Sequence, residues 1–362
     1  MRILLVVPAM RGGGAEFVAR TWARWLTEHG TEVHVHTTAE FTRPPELPDA
    51  VRWYPGARGG HRATQRQLRS TVRSARPTVI LALQMYANLN ALLLRIGPGR
   101  THVPVVVSER NLVSIGLSSA SASHRSKVAM ARRLYRRADH VAAISHPVAA
   151  EMVSAFGVDP DRCTVVPNPA AAKVSSLSDH GDPVLRGQRR IVLVFPCRLV
   201  QQKRPLLAVD VAAELDRRGF LTTMLVFGTG PLESSMRERA EQAGVQVVFG
   251  GWQEEWFARC SRGSVLLVPS LREGFGNTLV EAAAAGVRSV AFSGALGVSD
   301  AVVPGITGTL TATDTAAGLA DGVEAEYGRS VEGADDWLSR FSPDRSGAAI
   351  DALLHRVQDG GQ

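Results

Sequence analysis

Short apolar runs rich in β-branched residues alternate with amphipathic helical patterns along almost the whole chain. This alternation is typical of α/β domains, in which helices connect parallel strands. The predicted strands are Ile3–Val7, Glu32–Thr37, Thr78–Leu81, Val103–Val107, His140–Ile144, Ile191–Phe195, Thr223–Phe227, Gln246–Phe249, Val265–Val268 and Ser289–Phe292. Helices lie between these strands, for instance Glu16–Glu28, Arg62–Ala75 and Lys127–Arg137 in the first half, and Pro205–Arg217, Leu232–Ala243 and Thr278–Ala285 in the second. The order of these elements predicts doubly wound parallel sheets.

A segment without periodicity divides this pattern in two. Residues 168–190 are rich in Pro, Ser, Gly and Asp, which is the composition of a linker. With 362 residues, 45% of them apolar, the chain is long enough for two domains that each bury a core. We expect a first domain over residues 1–170, a linker over 171–190 and a second domain over 191–344, with a C-terminal tail (345–362) that packs back on the first. A nucleotide in the cleft between them is the expected ligand, because open α/β sheets bind ligands at the carboxyl ends of strands.

Several classes of protein are excluded by the composition. No stretch reaches the roughly 18 uninterrupted apolar residues of a membrane-spanning helix. The opening MRILLVVPAM has one Arg and leads into a glycine cluster, which favours a buried strand over a secretion signal. Cys163, Cys197 and Cys260 are widely spaced and form no CxxC pair, so we expect neither a disulfide framework nor a structural zinc site. These features predict a soluble, cytoplasmic protein.

Positive charge is concentrated in the first half of the chain. Residues 1–150 carry 21 Lys and Arg against 8 Asp and Glu, a net charge of +13, whereas residues 151–362 carry a net charge of −6. Two acid-free stretches contribute most of the basic side chains, namely Arg62, Arg66, Arg69, Arg73 and Arg76, and then Arg125, Lys127, Arg132, Arg133, Arg136 and Arg137. A solvated helix face, an anionic membrane surface or an anionic acceptor each accounts for this charge. Nucleic acid is disfavoured, because no recognition module or aromatic platform accompanies the charge.

Two strand-to-helix loops have the composition of anion-binding sites. The loop Met10–Glu16 (MRGGGAE) places three glycines before a helix, so it forms either a tight turn or a close approach to a ligand. It is not the dinucleotide fingerprint, because Phe17 stands where that motif needs glycine. Arg198 and Lys203 follow a predicted strand and are either solvated charges or a pair that neutralises a diphosphate.

The third loop, residues 269–286 (PSLREGFGNTLVEAAAAG), carries the strongest signal. Glu273 precedes two glycines and a helix that begins near Asn277, and Glu281 lies one turn inside that helix. The glycines and the helix N-terminus are suited to bind an anion such as phosphate. Because phosphate would repel a carboxylate, we expect Glu273 to accept hydrogen bonds from sugar hydroxyls and Glu281 from the hydroxyls of a ribose. A capped helix with two exposed glutamates is the alternative.

The segment EGFGNTLVE, with Glu273 and Glu281 in an E-x7-E motif, closely resembles the retaining family 4 glycosyltransferases of GT-B fold. The GGGAE loop, AISHPVAAEM (143–152), VVPNPA (165–170), RLVQQKR and VFGTGPL (226–232) occur in the order of that family, so the resemblance covers nearly the whole chain. It implies two Rossmann-like domains that face each other across a cleft, with the acceptor bound by the first and the nucleotide-sugar donor by the second.

By this resemblance Arg198 and Lys203 hold the donor diphosphate without a metal, Glu273 holds the donor sugar and Glu281 the ribose. The implied catalytic residues are Glu273, Arg198 and Lys203. The full implied donor-binding set is Gly13, Gly14, Arg198, Lys203, Gly228, Glu273, Gly274, Phe275, Gly276, Asn277, Thr278 and Glu281. A UDP-sugar is the favoured donor, and no cofactor is expected. Retention would follow a front-face displacement, in which the departing phosphate oxygen helps to deprotonate the acceptor, so the protein needs to supply no nucleophile or general base.

One position departs from the family pattern. Many relatives carry a histidine just after the strand equivalent to Val103–Val107, where this chain reads VVSERN. Either Glu109 or His124 is a candidate replacement. The expected acceptor-side residues are Glu16, Glu109, Arg110, Asn111 and His124.

Several functions remain open at this point. The leading one is transfer of a hexosyl or N-acetylhexosaminyl group to a lipid-linked or other anionic glycan acceptor by a cytoplasmic protein, peripheral at the inner membrane face. The acceptor is alternatively a soluble natural product or small molecule. A sugar epimerase or phosphorylase would share the architecture, and a nucleotide-sugar-binding protein without transferase activity is the non-enzymatic alternative.

Overall fold

The computed structural model describes residues 1–10, 13–56, 58–97, 99–115, 121–174, 189–261 and 263–360. The chain divides into two compact units. The first comprises Met1–Pro169 together with Arg340–Gln362, and the second comprises Ala170–Ser339. Each unit is built on its own parallel sheet.

The sheet of the first unit has seven strands in the order β3-β2-β1-β4-β5-β6-β7. Its strands are β1 (Arg2–Val7), β2 (Glu32–Thr37), β3 (Arg52–Tyr54), β4 (Val79–Leu83), β5 (Val105–Glu109), β6 (His140–Ala143) and β7 (Cys163–Val165). Its helices are α1 (Gly14–Glu28), α2 (Gly60–Ala75), α3 (Met85–Leu93), α4 (Ala122–Leu134) and α5 (His146–Phe156). All neighbouring strands are parallel. The strand order reverses between β1 and β4, which makes their carboxyl ends the place where such a sheet binds ligands.

The sheet of the second unit has six strands in the order β10-β9-β8-β11-β12-β13. Its strands are β8 (Arg190–Phe195), β9 (Leu221–Val226), β10 (Gln246–Phe249), β11 (Val265–Val268), β12 (Arg288–Phe292) and β13 (Gly308–Thr311). Its helices are α6 (Pro205–Arg217), α7 (Glu233–Ala243), α8 (Asn277–Ala284), α9 (Ala316–Glu326) and α10 (Asp335–Ser339). These pairs are also all parallel, and the reversal falls between β8 and β11. The predicted doubly wound α/β architecture is therefore confirmed.

The last helix, α11 (Pro343–Asp359), belongs to the first unit and packs on α1. Its Ile350, Leu353 and Leu354 are buried in the same apolar core as the strands of that unit. Trp22 Nε1 of α1 donates to Ser346 Oγ of α11 over 2.8 Å, which satisfies the indole N–H inside the core. The C-terminal segment is thus an integral layer of the first unit.

The segment that joins the units is described in part. Ala170–Lys173 form a 3₁₀ turn that belongs to the second unit. Residues 175–188 of the predicted linker lie outside the described residues. All three cysteines are free thiols. In the ranges given above, no helix combines the length and the apolar composition that crossing a bilayer requires.

Candidate active site

The loop after β8 carries Arg198, whose side chain is exposed and makes no hydrogen bond or ion pair with the residues that the structure describes. The backbone of this loop is held by the loop after β9. A Cβ atom at Gly228 would clash with the carbonyl oxygen of Cys197, so only glycine fits there. Leu199 N also donates to Thr229 O over 3.0 Å. Gly228 thus acts by fixing the backbone that presents Arg198.

Lys203 and Glu273 are in direct contact, since Lys203 Nζ lies 2.5 Å from Glu273 Oε1. Gln202 ties the two loops together, because its Nε2 donates to Arg272 O over 2.9 Å. Burial disfavours the charged form of Lys203, but the Glu273 carboxylate outweighs this effect, and the pKa of Lys203 lies above its ordinary value. An ionised ammonium is therefore held at the carboxyl ends of β8 and β11.

Glu273 is anchored by its backbone, since its N–H donates to Ala295 O over 3.0 Å. A Cβ atom on Gly297 would clash with the backbone of Glu273 and of the following glycine, so the loop is tightly packed from this side. Gly276, with φ of 101°, is the N-cap of α8 and leaves the helix start without a side-chain cap. The remaining predicted residues of this loop and of the first helical turn, all buried or partly buried, are Gly274, Phe275, Asn277 and Thr278.

Glu281 is 2% exposed and Glu273 is 8% exposed, so the alternative of two exposed glutamates is wrong. The Glu281 carboxylate is enclosed because Trp256 Nε1 donates to its Oε2 over 2.9 Å and Lys173 Nζ lies 3.0 Å from its Oε1. A buried carboxylate needs such partners, since an isolated buried charge is strongly unfavourable.

In the first unit, the predicted glycine loop begins α1 at the carboxyl end of β1. Gly13 is the N-cap in extended conformation and Gly14 is the first helical residue, whereas residues 11 and 12 of the loop lie outside the described part. Glu16 follows and its Oε1 accepts from Gln84 Nε2 over 3.1 Å. Gln84 has φ of 72°, a strained backbone conformation of the kind that is concentrated at ligand sites.

Glu109, at the end of β5, is fully buried. Its Oε1 accepts the backbone N–H groups of Arg110 and Asn111 at 2.9 and 3.3 Å, and Tyr135 OH donates to its Oε2 over 2.6 Å. Burial raises the pKa of Glu109 to about 7 despite these hydrogen bonds. Glu109 therefore shapes the turn after β5 from inside the unit.

Arg110 is 5% exposed and lies 5.3 Å from the ring centroid of Trp22. Its Nη1 donates to Ser108 Oγ over 3.2 Å, and burial lowers its pKa to about 9. Asn111 is exposed. His124 lies in the first turn of α4, where its backbone N–H is capped by Ser121 Oγ at 3.2 Å, and its side chain contacts neither Glu109 nor Arg110 by a hydrogen bond.

The structure thus gathers the predicted residues of each unit at the carboxyl edge of its sheet, with His124 on a helix instead. Sequence reasoning missed Gln202, Trp256 and Lys173 in the second unit, and Gln84 and Tyr135 in the first. Their partners are distant along the chain, and no local motif marks such contacts. In the described ranges, no three His, Cys, Asp or Glu side chains are grouped as metal ligands.

Comparison with known proteins gives a family match in each half of the chain. Residues 12–172 match the family described as Glycosyltransferase Family 4, and residues 190–327 match the family described as Glycosyl transferases group 1. A 2-deoxystreptamine glucosyltransferase of Streptomyces kanamyceticus is 33% identical over 181 residues, which are 48% of this chain and 42% of that protein. A 2-deoxystreptamine N-acetyl-D-glucosaminyltransferase of Niallia circulans is 33% identical over 134 residues, 36% of this chain and 34% of that protein. The chain therefore matches less than half the length of either relative.

Comparison with a solved structure shows a similar fold. The lipopolysaccharide outer core galactosyltransferase WaaB, in its apo form, aligns with a TM-score of 0.72 over 98% of this chain and 99% of its own, at 17% identity. This likeness confirms the expected two-domain GT-B architecture. The two family matches lie one in each half of the chain, in the order that the motifs indicated, and both families are described as glycosyltransferases.

Proposed function

We propose that the protein is a retaining, metal-independent glycosyltransferase that moves a hexosyl or N-acetylhexosaminyl group from a nucleotide sugar to a hydroxyl of a small-molecule acceptor. The observation that carries this proposal is the contact of Lys203 with Glu273 at the strand-order reversal of the second unit, with the exposed Arg198 on the same loop as Lys203 and close enough for its charge to act on it. The two cations are suited to a diphosphate, and a carboxylate at the same place is suited to sugar hydroxyls.

In this mechanism the bond between the anomeric carbon and the diphosphate oxygen breaks, and the acceptor oxygen forms the new bond on the same face. The acceptor proton passes to the departing phosphate oxygen. Negative charge develops on the leaving group, and Arg198 and Lys203 stabilise it there in place of a divalent ion. Lys203 has three N–H donors, so it retains capacity for phosphate while it contacts Glu273.

The acceptor proposal is supported by the names of the two curated relatives, which both refer to 2-deoxystreptamine. A second candidate is an anionic, lipid-linked acceptor, which the exposed arginines of α2 and α4 favour. A UDP-sugar remains the favoured donor.

The proposal predicts that Arg198→Ala and Lys203→Ala each lower kcat/KM for the donor. Hydrogen bonds to charged groups contribute about 1.5–3 kcal/mol, which corresponds to roughly 10- to 150-fold. The donor is first chosen by thermal-shift binding of UDP-, GDP-, ADP- and dTDP-sugars, and transfer is then measured with a panel of aminocyclitol, glycan and lipid-linked acceptors. Arg239→Ala is the matched control, because Arg239 pairs with Asp210 on the surface of the same unit.

Activity should survive EDTA. Complete loss in EDTA that Mg²⁺ or Mn²⁺ restores contradicts the metal-free mechanism. Donor binding without turnover on any acceptor supports the binding protein instead.

A further inference from the structure

Lys173 is one of only three lysines in the chain and no motif marks it. It ends the 3₁₀ turn Ala170–Lys173, which packs against α8 in the second unit. Its Nζ lies 3.0 Å from Glu281 Oε1, and its side chain is 18% exposed against 2% for that of Glu281. Lys173 is therefore the partner of Glu281 that lies nearer to solvent.

The Glu281 carboxylate is fixed from two sides. Trp256 Nε1 donates to Oε2, while Oε1 is in ion-pair range of Lys173 yet accepts no hydrogen bond from the described residues. A carboxylate has about four lone-pair positions, so acceptor capacity remains for the hydroxyls of a ligand. Without the ammonium, a carboxylate this deeply buried would lose its compensating charge and one of the two contacts that fix its orientation.

We propose that Lys173 is a positioning residue for nucleotide recognition, which holds the Glu281 carboxylate in the orientation that accepts the ribose diol of the donor. This inference rests on the proposed role of Glu281 in the donor site. It assigns to the turn Ala170–Lys173 of the second unit a function in selecting ribonucleotide donors.

The test is calorimetry with whichever of UDP, GDP and ADP binds the protein, and with its 2′,3′-dideoxy analogue. Lys173→Met should weaken binding of the ribonucleotide about tenfold and leave the dideoxy analogue unchanged. Lys173→Arg should restore most of the affinity, because a guanidinium also pairs with a carboxylate. In a Glu281→Gln background, Lys173→Met should have no further effect, since its effect acts through Glu281.

The matched control is Arg239→Met, which removes the same charge from the surface of the same unit and should change neither affinity. The inference is overturned if Lys173→Met preserves the preference for the ribonucleotide, or if it weakens both nucleotides equally as a structural defect would. Circular dichroism shows whether the Lys173→Met variant is folded. If it is not, the same titrations are carried out on Lys173→Gln. If Glu281→Gln itself leaves the ribose preference intact, the proposed role of Glu281 fails, and that result is distinct from a failure of Lys173 alone.

Discussion

Among single residues, Glu109 at the turn after β5 is expected to make the free energy of unfolding depend on pH. Its pKa is about 7 because of burial, above the value of 4.5 for an unperturbed glutamate. The folded protein therefore keeps a proton that the unfolded chain releases between these pH values. The stabilisation is fully present below pH 4.5 and is lost as the pH rises through 7, by up to roughly 3 kcal/mol.

Glu109→Gln should remove this dependence, since the amide is neutral at every pH and still accepts the backbone N–H groups of Arg110 and Asn111. Denaturant unfolding of both proteins between pH 4.5 and 8 measures it. The wild type should lose stability relative to the variant as the pH rises. A constant difference across that range would show that Glu109 does not titrate there. Because His36 and His140 also have lowered pKa values, the difference between the two proteins is the informative quantity.

At the scale of the element, the packing of α11 on α1 depends on one glycine. A Cβ atom at Gly347 would clash with the ring of Trp25. Alanine normally favours a helix over glycine by about 1 kcal/mol, yet Gly347→Ala should destabilise by about 1–3 kcal/mol through overpacking. The matched variant is Ala348→Gly on the exposed face of the same helix, which should cost about 0.5–1 kcal/mol. Thermal unfolding distinguishes the two effects, and a Gly347→Ala protein more stable than wild type would refute the close approach.

The strands and helices also show which elements can be predicted from the pattern of apolar residues. All ten predicted strands are present, because buried parallel strands are continuous apolar runs. The strands β3, β7 and β13 were not predicted, because they are short and their sequences, RWY, CTV and GTLT, contain no continuous aliphatic run. The helix α3 carries little amphipathic signal, because it is short and buried on most sides.

In the candidate site, the residues themselves could be predicted from the sequence, whereas the contacts between them could not. Arg198, Lys203, Glu273 and Glu281 were predicted as site residues because they belong to local motifs. The direct contact of Lys203 with Glu273 was not expected, because it depends on how the loops after β8 and β11 meet. The contact of Lys173 with Glu281 was also not expected, since only the folded second unit places the two side chains together.

At the scale of the whole molecule, charge differs between the two halves of the chain, with a net +13 on residues 1–150 and −6 on the rest. The structure places much of the positive charge on exposed faces. The exposed arginines of α2 and its C-cap are Arg62, Arg66, Arg73 and Arg76, and those of α4 and the turn after it are Arg125, Arg132, Arg133, Arg136 and Arg137. Arg69 differs, because it donates to the carbonyl oxygens of Leu93, Ile96 and Gly99 and so has a structural role. A surface that carries many exposed positive charges attracts anionic surfaces at long range.

We therefore predict that the protein co-sediments with anionic vesicles and not with neutral ones, whichever acceptor it uses. Binding should be strong at about 0.05 M salt and lost at about 1 M, where the screening length falls to roughly 3 Å. Replacing Arg132, Arg133, Arg136 and Arg137 by Gln should abolish it. The matched control replaces the exposed arginines of the second unit, Arg189, Arg217, Arg237 and Arg239. If both quadruple variants bind the anionic vesicles equally well, binding depends on the net charge of the protein and not on the arginines of α4 and the turn after it. If the wild type binds neither kind of vesicle, the basic face is only solvated, and the lipid-linked acceptor loses its support.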